Sequence, residues 1–177
     1  MKTPALIMAN PLPEGGGTAI TMDIIEPSLD RMFGGMRLTF YKQPMKEVAK
    51  DGESEGESVN ARPPDFDWNC PFPIELGFFE ITNLVYVLEG NCPSLEEVGG
   101  IRLQLEGGEV ALSVKHVVSP RSGYEFSYKA TPKAEEKKED EAQSPAGVEC
   151  SILIPPAQAN GIACLLRSAM ARMVFGR

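Results

Sequence analysis

Six stretches of this chain alternate apolar and polar side chains with a period of two, and two others carry apolar residues with the period of a helix. Thr18–Ile25 places Ile20, Met22 and Ile24 on one face. Met36–Lys42 sets Met36, Leu38 and Phe40 against Arg37, Thr39 and Tyr41. Ile101–Leu105, Val110–Val117, Tyr124–Lys129 and Val148–Ile154 repeat the pattern, and Ala5–Ala9 and Phe72–Phe78 are weaker strand candidates. Gly107-Gly108 predicts a tight hairpin between two of these strands. From Glu80, the residues Ile81, Leu84, Val85 and Leu88 form a helical stripe that Gly90 stops. A second stripe, Ile162, Leu165, Leu166, Ala169, Met173 and Val174, opens after Pro155-Pro156, where proline suits a first helical turn.

The order is therefore four strands, a helix, four strands, a helix. It repeats an architecture without repeating a sequence. The fold class expected is α+β: two packed antiparallel four-stranded sheets with a helix after each (ββββα-ββββα), not a doubly wound parallel sheet. The 177 residues suit one domain, 1–177, made of two pseudo-repeats at about 4–90 and 99–177.

Two segments interrupt the strands, at about 47–64 and 131–147. Both are charged, poor in large apolar residues and flanked by proline, and they read as solvated acidic loops. Acidic partner-binding arms are the sharper alternative. They decide what the net charge of −8 means. Residues 47–57 hold five acids against one lysine and residues 134–141 five against two, so these runs carry −7 of it. The rest of the chain is nearly neutral, and its charge does not exclude a polyanionic partner.

Other classes are disfavoured. No apolar run approaches the roughly 20 residues of a membrane helix, and Met1–Asn10 does not resemble a secretory signal, so a cytoplasmic chain is expected. Cys70, Cys92, Cys150 and Cys164 have no Cys-x-x-Cys spacing; they read as buried thiols, with disulfides or metal ligation as the alternative, and Cys150 and Cys164 lie inside apolar patterns. His116 is the one histidine and reads as structural. Gly15-Gly16-Gly17 lacks the lysine and helix of a phosphate loop and reads as a turn before a strand. No acid–base or metal set converges, so no enzyme, cofactor or metal is expected.

Four stretches carry a resemblance to a known family. Gly16-Gly17-Thr18-Ala19-Ile20-Thr21 is similar to the Gly-Lys-Ala-Ala-Leu-Thr strand opening of the Whirly family. Phe66-Asp67-Trp68 matches its Tyr-Asp-Trp, and Phe79-Glu80-Ile81-Thr82-Asn83-Leu84 its Thr-Glu-Ile-Gly-Asn-Leu. Ile152-Leu153-Ile154-Pro155-Pro156-Ala157-Gln158-Ala159 resembles its Val-Tyr-Ile-Pro-Ile-Thr-Lys-Ala. Relatives of that family include positive cofactor four and the kinetoplastid mitochondrial guide-RNA-binding proteins. The resemblance implies two roughly perpendicular sheets, tetramers built through the helices, and single-stranded DNA or RNA bound along sheet edges and between neighbouring sheets. One departure stands out: Gly15 and Gly17 replace the lysines of the family's Lys-Gly-Lys, a segment tied to nucleic-acid binding and assembly.

Single-strand binding needs cations for the backbone and π-faces for the bases. The candidates are Arg37, Tyr41, Lys42, Trp68, Arg102, Lys115 and Lys129, on a face expected to be mildly basic, rich in hydroxyls and poor in acids. Tyr124, Phe126 and Tyr128 read as core, with a stacking platform as the alternative. Trp68 reads as a packing anchor or as a platform for a base. Arg167 and Arg172 read as a solvated rim or salt-bridge partners, and the last helix as the oligomer contact. The function expected is a non-sequence-specific single-stranded nucleic-acid-binding protein, DNA ahead of RNA, acting as a homo-oligomer. The alternative is an oligomeric protein-interaction module of the same fold that has lost nucleic-acid binding.

Overall fold

A computed structural model describes residues 6–27, 33–45, 66–105, 108–132 and 147–175. The first acidic loop and most of the second lie outside them, as does Gly107 of the expected hairpin. Eight strands and two helices run in the order β1 (Leu6–Asn10), β2 (Thr18–Ile25), β3 (Gly35–Lys42), β4 (Phe72–Leu76), α1 (Phe78–Leu88), β5 (Ile101–Leu105), β6 (Gly108–Val117), β7 (Gly123–Pro132), β8 (Val148–Ile154) and α2 (Pro156–Phe175). They form two antiparallel meanders, β1-β2-β3-β4 and β5-β6-β7-β8, each followed by a helix. The expected fold class is therefore the observed one.

Alternation fixes which face of each sheet is buried. In the first sheet Ile20, Met22, Met36, Leu38, Phe40, Ile74 and Leu76 turn inward; in the second Val110, Leu112, Val114, Phe126, Cys150, Ile152 and Ile154 do. Tyr124, Phe126 and Tyr128 are all buried, which selects the core reading over the stacking platform. The Tyr128 ring lies 5.4 Å from Phe40 and 6.0 Å from Phe72, so it joins the two sheets. Burying a large apolar side chain contributes about 1.5–3 kcal/mol, so this aromatic junction is a main link between the layers. Strand β8 touches β1, β2 and β3, and thus runs across the first sheet rather than alongside one strand.

The helices close the ends of this core. Helix α1 buries Ile81, Leu84, Val85, Val87 and Leu88. It starts at Phe78, two residues before the expected Glu80, because Phe78 continues the helix instead of β4. Glu80 sits in the first turn, where a carboxylate suits the positive end of the helix dipole. Gly90, at φ 78°, follows the helix and takes the left-handed conformation expected of a stop. Helix α2 buries Ala159, Ile162, Ala163, Leu166 and Met173, but Leu165 of its predicted stripe is 56% exposed. Cys164 is exposed as well, against expectation: it lies on the outer side of α2. Cys150 is buried on β8, and burial pushes its thiol pKa up. The second loop is shorter than expected, since Thr131 and Pro132 complete β7.

Gly34 shows why α2 can reach the first sheet. Its N–H donates to the Met173 carbonyl at 2.8 Å, and a Cβ there would overlap the Ile25 carbonyl and lie 3.1 Å from the Met173 Cα. A larger residue would hold the last turn of α2 away. Among the described residues no helix is long and apolar enough to cross a membrane.

Candidate nucleic-acid interface

The seven candidate residues do not form one site within a single chain. Arg37 and Tyr41 point away from the core on the first sheet; Arg102, Lys115 and Lys129 point away from it on the second. Because the sheets pack through their inner faces, the two outer faces look in different directions. Lys42 has the parity of Phe40 and lies at the end of β3 on the inner side, not with Arg37 and Tyr41.

Two candidates, Tyr41 and Trp68, do come together at the end of β3, and a third, Lys42, meets them only through its backbone. The Trp68 ring lies 4.7 Å from Tyr41 and 5.8 Å from Phe66, and Trp68 is 49% exposed. The Asp67 N–H donates to the Lys42 carbonyl at 2.9 Å, which fastens this aromatic turn to the strand. One Asp67 carboxylate oxygen accepts from the Asn69 N–H at 3.2 Å. The Asp67 carboxylate is also hydrogen-bonded to Cys70, which raises that thiol's pKa. The Asp67 charge is thus engaged within its own turn. Lys42 is exposed and has no ion pair among the described residues. Two aromatic rings, one open to solvent, share this corner; Lys42 joins it through its backbone carbonyl, while its charge is felt by Cys150 on the inner side.

The glycine turn lies at the same end of the sheet. Gln43 is buried, and its side-chain oxygen accepts from Leu12 N–H at 2.9 Å and Gly17 N–H at 3.1 Å. A Cβ on Gly17 would lie 2.6 Å from that oxygen and would overlap the Asn10 carbonyl. Glycine at position 17 thus has a steric cause: the close crossing of β2, Gln43 and residues 10–12 leaves no room for a side chain. The turn reading of Gly15–Gly17 stands, with positive φ at Gly15 and Gly16.

Away from this corner the outer face of the first sheet is closed at its centre. Ala19, Thr21 and Thr39 are buried although they alternate away from the core. What stays open are the edge strands, with Ile7 and Ala9 on β1 and Pro73 on β4, and the charged end, where Arg37 pairs with Glu75 at 2.5 Å.

The outer face of the second sheet is open and arranged in cross-strand rows. Arg102, Ala111, Lys129 and Glu149 form one row; Ser113, Ser127 and Ser151 the next; Lys115, Glu125 and Leu153 the third. The hydroxyls are there, as expected. The scarcity of acids is not: Lys115 bridges Glu125 at 2.8 Å, Arg102 lies 3.8 Å from Glu109, and Lys129 faces Glu149 across the strands. Glu125 holds the Lys115 pKa above its ordinary value. Arg102, Lys115 and Lys129 are thus balanced by Glu109, Glu125 and Glu149. Opposite charges on neighbouring strands are favourable cross-strand pairs, and the sheet's own stability favours this neutralisation.

Arg167 and Arg172 serve the fold. Arg167 grips both oxygens of Glu89, one at 2.6 Å from Nη2, and Arg172 lies 3.7 Å from Glu26. Among the described residues no group of three His, Cys, Asp or Glu side chains could hold a metal ion.

A groove of about 970 Å³ was not legible in the sequence. It lies where the edge strand β1 meets the edge strand β8 and α2. Arg121 is its one charged lining residue.

No protein-family model matches this sequence, and no curated protein matches it. Solved structures do. The WHY3 protein of Arabidopsis thaliana superposes with a TM-score of 0.63 at 14% identity, over 98% of this chain and 92% of that one. The WHY1 protein of the same plant superposes with a TM-score of 0.61 at 14% identity, over 98% of this chain and 89% of that one. At such identity the likeness is one of fold: the two-sheet, two-helix arrangement is Whirly-like from end to end.

Proposed function

We propose that this chain binds single-stranded nucleic acid without sequence preference, chiefly by stacking bases on the Trp68–Tyr41 corner. The observation that carries this reading is the exposed Trp68 ring, 4.7 Å from Tyr41. An indole that only packed would be covered; this one offers a π-face at the end of a sheet. Lys42, exposed at the same strand end but on its other side, supplies a phosphate contact for a nucleic-acid strand that wraps over the sheet edge. The Whirly-like fold supports the same reading, and the sequence resemblance is why we rank DNA ahead of RNA. The cations of the second sheet, already held by glutamates, contribute little, so affinity falls only gently with salt.

We also infer a homo-oligomer, a tetramer, assembled through α2. Leu165 on its outer side supports this, a large apolar residue that is 56% exposed. Four free thiols suit a reducing compartment, the cytoplasm in our reading.

Trp68 is the only tryptophan, so intrinsic fluorescence reads the corner directly. An oligothymidine titrated at about 50 mM salt should quench it in step with a rise in ligand anisotropy, and the matching oligouridine should do so more weakly. No binding at micromolar protein would reject this reading. It would leave the second, a protein-interaction module, which the charge-neutral face of the second sheet favours. A sedimentation profile containing only a 19.2 kDa species would remove the oligomer.

A further inference from the structure

Helix α1 has one charged residue, Glu80, and its solvent side is not that of a solvated helix. Phe79 is 74% exposed and Tyr86 is 47% exposed. They stand seven residues apart, two turns along one stripe, with exposed Thr82 between them. The apolar surface continues past the helix start: the Phe78 ring lies 5.8 Å from Phe79 and 6.1 Å from Phe33, itself exposed. A contiguous exposed aromatic surface of this kind marks an interaction site rather than a chance exposure.

The border of the stripe is acidic. Asn83 donates from Nδ2 to the Val98 carbonyl at 3.0 Å and so holds the 3-10 turn Glu96–Val98 beside α1. Glu96 and Glu97 on that turn are exposed. Glu26, Glu75, Glu89, Glu109 and Glu125 each lie within 4.0 Å of a cation. Among the described residues Glu96 and Glu97 do not; Lys115, whose charge Glu96 feels, is bridged to Glu125 instead. Glu97 accepts only a thiol contact from Cys92 at 3.6 Å.

We propose that this face of α1 docks a basic protein segment that carries an apolar anchor, the anchor lying along Phe79 and Tyr86 and its cations meeting Glu96 and Glu97. Charge complementarity selects that occupant. A polyanion is repelled by the border. Among the described residues, a second copy of this chain brings mainly cations already bound to its own glutamates, such as Arg37, Lys115 and Arg167. The surface is separate from the Trp68 corner, so a partner and a nucleic-acid strand can be held together.

The test uses a labelled synthetic helical peptide with leucines at i, i+4 and i+7 and lysines elsewhere, and a scrambled peptide of the same composition. The helical peptide should bind at micromolar concentration, and the scrambled one about tenfold more weakly, because only the first aligns its anchors. The Phe79→Ser/Tyr86→Ser double variant should lose about tenfold, as expected for aromatic anchors. Both positions are exposed, and an unchanged melting temperature will confirm folding. The independent variant Glu96→Gln/Glu97→Gln should weaken binding several-fold at low salt and flatten its salt dependence. Equal affinity of the two peptides, or of the double variant and the parent, overturns the proposal. So does self-association of the parent that the double variant abolishes, which would assign the face to a second copy.

Discussion

The two sheets share a plan, four antiparallel strands capped by a helix, yet their outer faces have become different surfaces. The first is closed at its centre by Ala19, Thr21 and Thr39 and opens at a corner with Trp68 and Tyr41. The second has no buried centre and carries cations, but each faces or bridges a glutamate. One sheet offers π-surface with little charge, the other charge with no aromatic ring. A ligand that needs both cannot satisfy itself on either face alone. For the proposed single-strand binding, whichever sheet dominates determines whether affinity follows base stacking or ionic strength.

The sharpest way to break this comparison is to ask whether the sheets are separate at all. Phe40→Ala removes a ring that meets Tyr128 across the core, and should cost about 3–5 kcal/mol. Both sheets should then lose hydrogen-exchange protection together. Continued protection of β6 and β7 while β2 and β3 open would make them independent units.

The next effect concerns the ligand. Trp68→Ala should weaken single-strand binding by about 1–3 kcal/mol, the worth of one stacked base, while Lys129→Ala should change it less than about threefold. Anisotropy titrations of both variants decide the order; the reverse ranking would move the site to the second sheet. Smaller again is a gain. Glu125→Gln with Glu149→Gln leaves Lys115 and Lys129 uncompensated and should raise affinity about three- to tenfold at 50 mM salt, an advantage that fades as salt rises. No gain would mean that strands never visit this face.

The smallest effect is a control for the fold. The Arg167 guanidinium beside Glu89 holds that carboxyl below its ordinary 4.5. A lowered folded value contributes stability that is present above 4.5 and lost as pH falls through the lower folded value. The melting temperatures of the parent and Arg167→Ala should therefore differ by a few degrees at most near neutral pH and converge in acid. A gap that widened in acid would contradict the assignment.

The fold was legible because strand alternation and helical stripes are local. Ile101–Leu105 and Val148–Ile154 are observed with the expected bounds. Phe78 misled, since an aromatic after an apolar strand continues either element equally well. Leu165 misled because a stripe wider than the core it faces leaves one edge outside. The site was harder to see. Lys115 looks free in the sequence, since its partner Glu125 lies on another strand and only the β6–β7 register makes them neighbours. Lys42 needed only its parity with Phe40 to be separated from Arg37. Trp68 was identified, but its exposure depends on a turn fastened through backbone atoms, which side-chain patterns do not report.

The contact between Gly34 and Met173 joins the start of β3 to the last turn of α2. During synthesis the first sheet is complete long before α2 exists, yet its inner residues Met22, Ile24 and Met36 border that helix. Until α2 arrives, those side chains face water. The early half of the chain is therefore a nascent intermediate with an uncovered apolar flank, and its safe passage depends on how soon α2 emerges from the ribosome.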